Sequence, residues 1–409
     1  MSAPLQLSIV NFNKGAYIIV EGKANADHFF IVRSGKVRIS KEVEVVEEEG
    51  GNIVGPGDFF GVVSTMSSHS HIETAQALTD VSLISVHREQ YGLLIERNTP
   101  VAIKIIESFS RRMRYLDAAL ARLTLKSSTN EGDIEHLFRV GEYYVRQNQY
   151  SIAYYAYYQY LKHCPSGEHV TTARERLAKI KPYSKAVYLD GDENVFTRSF
   201  PKDTMVFCEN MPGKEMYIIQ KGSVKITKIL EDGEVMLALL KQGDMFGEMS
   251  LIESKPRSAS AIAYEVLLAV NRENFSRMVK TQPQIIARLT TTLAERIWFI
   301  YKQLANTLLT NPVGRMYDAL LIQLEKVRVP IRSGEPYTFD FGIKDLINMV
   351  GLPMAEGNQV VRELLKNNKI KANEDRLHTS DIEEVEKQAK YYRKMERIEK
   401  ARREQRRIG

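Results

Sequence analysis

The spacing of apolar positions changes character along the chain, and each change marks a different kind of element. From Ile9 to about Arg122 the apolar residues fall in short alternating runs broken by glycine, as in Phe30-Ile31-Val32-Arg33-Ser34-Gly35-Lys36-Val37-Arg38-Ile39, which predicts short antiparallel strands. The same runs return in Tyr217-Ile218-Ile219-Gln220-Lys221-Gly222-Ser223-Val224-Lys225-Ile226. Phe12-Asn13-Lys14-Gly15 is repeated by Phe200-Pro201-Lys202-Asp203, and Gly55 to Gly61 by Lys241 to Gly247. Such self-similarity predicts two copies of one antiparallel β-roll. After each roll the period lengthens. Ile106, Phe109, Met113, Leu116, Leu120 and Leu123 alternate by three and four, and Ile285, Leu289, Leu293, Ile297, Ile300 and Leu304 form one continuous apolar stripe. The first stripe suits a parallel homodimer seam or a helix lying on its own barrel.

Residues 126–132 form a polar linker. Beyond it, Leu137, Gly141, Tyr144, Ala153, Tyr157, Tyr160 and Pro165 resemble the large–small–aromatic pattern of one tetratricopeptide helical hairpin, followed by a helix from about His169 to Ile180. A single such repeat cannot bury its faces alone and has to pack on a barrel or a twin. Eight tyrosines between Tyr143 and Tyr160 either pack this hairpin or offer a face to a protein partner. From Asn311 onward the order predicted is helix, short strand, helix, turn at Gly351, a second helix from Met354, and a hairpin from Ile370 to Thr379, which is helix-turn-helix spacing. The expected fold class is therefore α+β and multidomain: a β-roll with its helix over 1–125, a helical hairpin over 126–186, a second β-roll with a long helix over 187–310, a winged helix-turn-helix over 311–382, and a basic helical tail over 383–409.

Composition adds limits. The 409 residues exceed a single core, and 44% hydrophobic with 26% charged residues is an ordinary globular balance. A formal net charge of +6 permits a polyanionic partner without demanding one. Two isolated cysteines, Cys164 and Cys208, fit a reducing compartment and no disulfide framework. The absence of an 18-residue apolar run and of a leader-like N-terminus predicts a cytoplasmic chain without membrane contact. His69 and His71, with His28 elsewhere, lack an identifiable third ligand, so no metal is expected. No Ser-His-Asp set, carboxylate pair or phosphate-transfer loop is recognisable, and no enzyme is expected.

The chemistry concentrates in one stretch, Gly243 to Ser260. Gly247 removes a Cβ where an anion could approach the backbone, and the turn from Met249 to Ile252 presents free N–H groups. Arg257, after Pro256, supplies a planar fork for phosphate oxygens, while Glu248 accepts from a sugar hydroxyl. This stretch resembles the phosphate-binding cassette of cyclic-nucleotide-binding domains, whose pattern is Phe-Gly-Glu, a few apolar residues, then Pro-Arg and small residues. The resemblance implies a cyclic nucleotide held by Phe246, Gly247, Glu248, Met249, Ser250, Arg257, Ser258 and Ala259, with cAMP foremost and cGMP or a cyclic dinucleotide as alternatives. In the first copy Val62 replaces the glutamate and no arginine lies between Gly61 and Ala77. His71, Ile72 or Glu73 takes the arginine's place, depending on where two extra residues are set. That copy is expected to be structural or dimerising, with no nucleotide.

Together the parts resemble the catabolite-activator (Crp/Fnr) family, in which the long helix after the roll forms the dimer seam and closes over the base. Ile300 and Tyr301 stand where the bacterial cAMP activators carry a Thr-Ser pair, so Tyr301 or Trp298 is expected to stack on the base. The family implies a homodimer on double-stranded DNA, read by Met354, Glu356, Asn358 and Gln359 at the start of the recognition helix, with Arg362 and Lys366 on phosphates. Met354 and Ala355 depart from the arginine and glutamate of family activators at those places. The expected function is thus a cyclic-nucleotide-responsive transcription regulator, with a nucleotide-sensing adaptor that binds protein and not DNA as the alternative.

Overall fold

The computed structural model describes residues 7–24, 26–41, 52–125, 133–185, 197–230, 233–263, 267–271, 283–373 and 376–408. The linker 126–132, the Glu231-Asp232 turn and the side chains of Leu123 and Ile285 lie outside the described residues. The chain divides into two compact units, one reaching to Ile297 and the other running from Trp298 onward.

In the first unit, the first roll consists of β1 (Ser8–Phe12), β2 (Tyr17–Ile19), β3 (His28–Ser34), β4 (Val37–Ser40), β5 (Ile53–Val54), β6 (Phe59–Phe60), α1 (Val62–Ser67), β7 (Thr74–Ala77) and β8 (Val81–His87). Its two antiparallel sheets have the orders β1-β8-β3-β6 and β2-β7-β4-β5. The second roll repeats this with β9 (Thr197–Arg198), β10 (Thr204–Phe207), β11 (Glu215–Ile219), β12 (Ser223–Leu230), β13 (Gly233–Lys241), β14 (Met245–Phe246), α7 (Glu248–Glu253), β15 (Ser260–Ala263) and β16 (Leu267–Asn271). The sheet orders are β9-β16-β11-β14 and β10-β15-β12-β13, strand for strand the same as in the first roll. The register agrees as well: Phe30 faces Phe60 in one roll and Tyr217 faces Phe246 in the other. Alternation puts Val32, Val37, Ala75, Ala77 and Leu83 inside the first roll and Met205, Met216, Val224, Ala261 and Ala263 inside the second, all at most 2% exposed.

Two helices follow the first roll, α2 (Tyr91–Arg97) and the long α3 (Thr99–Leu125). The apolar stripe of α3 is covered by the chain itself: Ile106, Phe109, Met113, Leu116 and Leu120 are all at most 5% exposed. The two covers named for it, a homodimer partner and the helix's own barrel, did not include the one found. A 3–4 alternation shows only that one helix face needs an apolar cover, and the cover is the second roll, where α3 packs on α7, β12 and β13.

The hairpin consists of α4 (His136–Arg146) and α5 (Tyr150–His163), followed by α6 (Val170–Ile180). Gly141 lets α4 and α5 close, since a Cβ there would stand 2.5 Å from Tyr157 Cε1. The hairpin shares one core with the second roll, with Tyr144, Tyr155 and Tyr160 in the same cluster as Met205, Cys208, Ile229 and Ile262. Tyr155 Oη donates to the Val206 carbonyl at 3.0 Å, and His136 Nε2 lies 2.7 Å from Glu209 Oε1. Five of the eight tyrosines are buried and none is exposed, so the partner face considered for them is spent on packing.

The helix α8 (Pro283–Thr307) begins in the first unit and continues into the second. The second unit then holds α9 (Pro312–Lys326), β17 (Tyr337–Thr338), α10 (Ile343–Met349), α11 (Met354–Leu364), β18 (Ile370–Asn373), β19 (Arg376–Thr379) and α12 (Ile382–Ile408). Asn311 caps α9 by accepting from Gly314 N at 2.9 Å. Gly351 takes φ +65° in the turn between α10 and α11, and a Cβ at Gly357 would stand 2.4 Å from Ile347 Cγ2, so these two helices touch at a glycine. The basic tail differs from expectation in its first turns. Ile382, Val385 and Ala389 are fully buried, Tyr392 stacks on Tyr317, and Arg393 pairs with the buried Asp318. These residues make α12 part of the core, and its charged surplus begins beyond them.

Candidate ligand site in the second β-roll

The cassette is built by a short helix held between two left-handed residues. Gly247 takes φ +76° before α7 and Ser254 φ +56° after it. Gly247 is required twice over: by its φ, and because a Cβ would meet Arg257 Nη1 at 2.7 Å and Phe207 Cε1 at 3.2 Å. Arg257 is 4% exposed. Its Nη1 donates to the Gly247 carbonyl and to Ser250 Oγ, each at 2.7 Å, and its guanidinium lies 4.1 Å from the Phe207 ring centroid. Its backbone is clamped as well, with Asn210 N donating to its carbonyl and its own N donating to Met211 O, both at 2.9 Å. Burial pulls the guanidinium below its usual pKa, and Tyr217 and the nearby acids oppose that shift. Arg257 Nε is buried without a partner among the described residues. Phe207, Tyr217 and Phe246 form an aromatic floor with centroids 5.1–5.8 Å apart.

Phe246, Gly247, Glu248, Met249, Ser250, Arg257, Ser258 and Ala259 all line one cavity of about 310 Å³, its mouth included. Phe207, Ile226 and Arg296 complete the lining. Glu248 is fully buried; its Oε1 accepts from Arg296 Nη1 at 3.1 Å and its Oε2 has no partner among the described residues. The cavity thus pairs a buried fork and a glycine-headed turn with a carboxylate that still lacks a donor, the set that an anion joined to a hydroxyl requires. Arg296 is the α8 residue in this lining, whereas Tyr301 belongs to the second unit, 3% exposed.

Sequence reasoning missed four contributors. Phe207 and Gly213 come from before the cassette; a Cβ at Gly213 would stand 2.2 Å from Ser250 Oγ and 2.5 Å from Arg257 Nε. The Asn210-Met211-Pro212-Gly213 turn was the available signal for that glycine. Arg296 comes from α8. Arg114, on α3, donates to the Pro256 carbonyl at 2.9 Å, next to Arg257.

The first roll carries the same frame with different chemistry. Gly61 takes φ +79°, α1 follows, and Ser68 takes φ +55°. Gly22 N donates to His71 O at 2.7 Å and His71 N to Lys23 O at 3.0 Å, the pair of backbone bonds that clamps Arg257 in the other roll. Six positions separate Ser68 from Thr74 and Ser254 from Ser260, so there are no extra residues and His71 holds the arginine's place. Burial lowers the His71 pKa and Glu73 partly offsets that. Glu73, equivalent to Ala259, turns its Oε1 onto Gly61 N at 2.8 Å, with Oε2 3.8 Å from Arg112 Nη1 on α3. A carboxylate of the chain thus occupies the amide an incoming anion would need.

In the second unit Met354, Glu356, Asn358, Gln359, Arg362 and Lys366 are all exposed, along or just past α11, while Gly357, Val360, Val361 and Leu364 face the core. Lys366 Nζ is held by Glu363 at 2.7 Å.

Residues 9–98 and 197–282 each match the family model of the cyclic nucleotide-binding domain. The two rolls are therefore cyclic nucleotide-binding domains. The chain carrying them is similar in sequence to CRP-like regulators. It is similar to the CRP-like cAMP-activated global transcriptional regulator of Mycobacterium tuberculosis, 28% identical over 194 residues that cover 47% of this chain and 87% of that protein. The cyclic AMP receptor protein of Thermus thermophilus is 36% identical over 103 residues, 24% of this chain and 48% of that one. The cAMP-dependent protein kinase regulatory subunit of Aspergillus niger is 25% identical over 284 residues, 67% of this chain and 53% of that one. Among solved structures, the c-di-GMP responsive global regulator CLP of Xanthomonas campestris aligns at a TM-score of 0.37 and 21% identity, covering 45% of this chain and 92% of that one. No helix among the described residues is long and apolar enough to cross a membrane, and none of the described His, Cys, Asp and Glu residues form a group of three or more suited to a metal.

Proposed function

We propose that this chain is a cyclic-nucleotide-responsive transcription regulator whose one nucleotide site lies in the second roll. Arg257 and the Gly247 turn hold the cyclic phosphate, Glu248 accepts from the ribose hydroxyl, and the aromatic floor and Ile226 give the base an apolar surround. cAMP is the foremost effector, because the relatives named above are cAMP-activated or cAMP-receptor proteins. The helix-turn-helix of α10 and α11, with Asn358 and Gln359 on its exposed face, binds DNA as a winged helix, and no catalysis is involved. The observation that carries this reading is Arg257, buried and clamped against Gly247 in a cavity that also holds the half-satisfied Glu248. Titration calorimetry of the full chain with cAMP, cGMP and c-di-GMP tests it. Arg257→Ala should lower affinity by about 2–5 kcal/mol, the usual loss for a buried charge partner, with melting retained; unchanged affinity overturns the site.

A second reading, an adaptor that senses nucleotide and binds protein in place of DNA, is favoured by the similarity to a kinase regulatory subunit over 67% of the chain. Asn358→Ala with Gln359→Ala separates the two, since it weakens the regulator and leaves the adaptor intact.

A further inference from the structure

Asp117 stands on α3, the helix that follows the first roll, and is 1% exposed. Neither of its carboxylate oxygens has a hydrogen-bond partner among the described residues. The charged groups facing it are Arg296 from α8, Lys228 from β12, Glu248 from α7 and Arg114 from its own helix. Two of these, Arg296 and Glu248, line the ligand cavity and hold each other by a single bond at 3.1 Å. In that pair Arg296 Nε and Glu248 Oε2 are buried without a partner among the described residues. A buried network with unmet groups is costly, and here one guanidinium stands between two acidic acceptors from different halves of the chain. Such an arrangement offers the guanidinium two acceptors, and a third donor can select between them.

Building on the reading of the second roll as a nucleotide site, we propose that Asp117 is the alternative seat of Arg296. A ligand hydroxyl that donates to the free Glu248 Oε2 weakens that carboxylate's hold on the guanidinium, which then pairs with Asp117. Asp117 is thus a positioning residue that never touches the ligand, and the proposal makes the first roll, through α3, the fixed partner of the second roll's site. Other contacts support that role: α3 packs on the cassette helix, Arg114 holds the Pro256 carbonyl, and Tyr91 Oη of α2 lies 3.0 Å from Thr290 Oγ1 of α8.

The exchange links binding to protons. Burial holds the Asp117 carboxyl at about 6 without ligand, and a paired Arg296 would draw it down. Binding therefore favours the deprotonated form, and affinity falls as pH drops from 7.5 to 5. Calorimetry of the full chain with cAMP should show affinity weakening roughly tenfold over that interval, within the usual range of site coupling. In Asp117→Asn the profile should be flat, with affinity at pH 7.5 already lowered by about the same factor. A wild-type profile without slope, or an Asp117→Asn profile that keeps the slope, overturns the exchange while leaving the site in place. If wild type binds none of cAMP, cGMP and c-di-GMP at any pH, the site reading falls and the exchange falls with it.

Discussion

Asp117 also makes a prediction that needs no ligand. Desolvation dominates its environment, ahead of the attraction from Arg296 and Lys228, and raises its carboxyl from 3.8 to about 6. Holding a proton that much more tightly when folded is worth about 3 kcal/mol, since each tenfold change in proton affinity is worth about 1.36 kcal/mol. In the window between these values the folded chain keeps a proton that the unfolded chain has released. Stability therefore falls as pH rises through roughly 4 to 6, and the full cost is present at pH 7. Asparagine occupies the same volume without a charge, so Asp117→Asn escapes the cost. Urea unfolding of wild type and variant at pH 4, 5, 6 and 7 should show no difference at pH 4 and a growing advantage for the variant, up to about 3 kcal/mol at pH 7. Subtracting the two curves removes every other titrating group. An Asp117→Asn chain no more stable than wild type at pH 7, or an advantage that grows toward acid, would refute the claim that this carboxylate is buried without adequate partners.

Three further outcomes follow from the same geometry. Because Glu73 already occupies the Gly61 amide and His71 stands in for the arginine, equilibrium dialysis with labelled cAMP should count one nucleotide per chain, and a count of two would contradict the first roll's assignment. Gly141→Ala should lower hairpin stability by about 1–3 kcal/mol, since the added methyl would come within 2.5 Å of a Tyr157 ring fixed by Glu142; scanning calorimetry with an unchanged transition would argue against that packing. Asn358→Ala with Gln359→Ala should reduce sequence discrimination on DNA by about 1–3 kcal/mol per base contact, whereas Lys366→Ala should weaken all sequences alike and lessen the salt dependence. Gel-shift titrations at several salt concentrations distinguish the two.

The legible part of this protein was the part whose neighbours in space are neighbours in sequence. The eight cassette residues lie within fourteen positions, and one tight turn with its helix and following loop brings them to a common cavity. The doubled β-roll was readable for a related reason, because strand alternation and glycine turns repeat locally in both copies. The stripe on α3 was readable as a stripe only: periodicity states that a face must leave water and is silent about which surface covers it, so a second copy and the helix's own roll were both open, and only the fold placed α7, β12 and β13 of the second roll against it. The same holds for single residues. His71, Ile72 and Glu73 were interchangeable candidates in the sequence, and the matching left-handed residues Ser68 and Ser254, with the backbone bonds to Gly22 and Lys23, assigned His71 to the arginine's place. Phe207, Gly213, Arg296, Arg114 and Asp117 act on the cassette from roughly forty to more than a hundred residues away. Side-chain chemistry by itself told what each could donate or accept; long-range packing, which closes those separations, decided which of them meet.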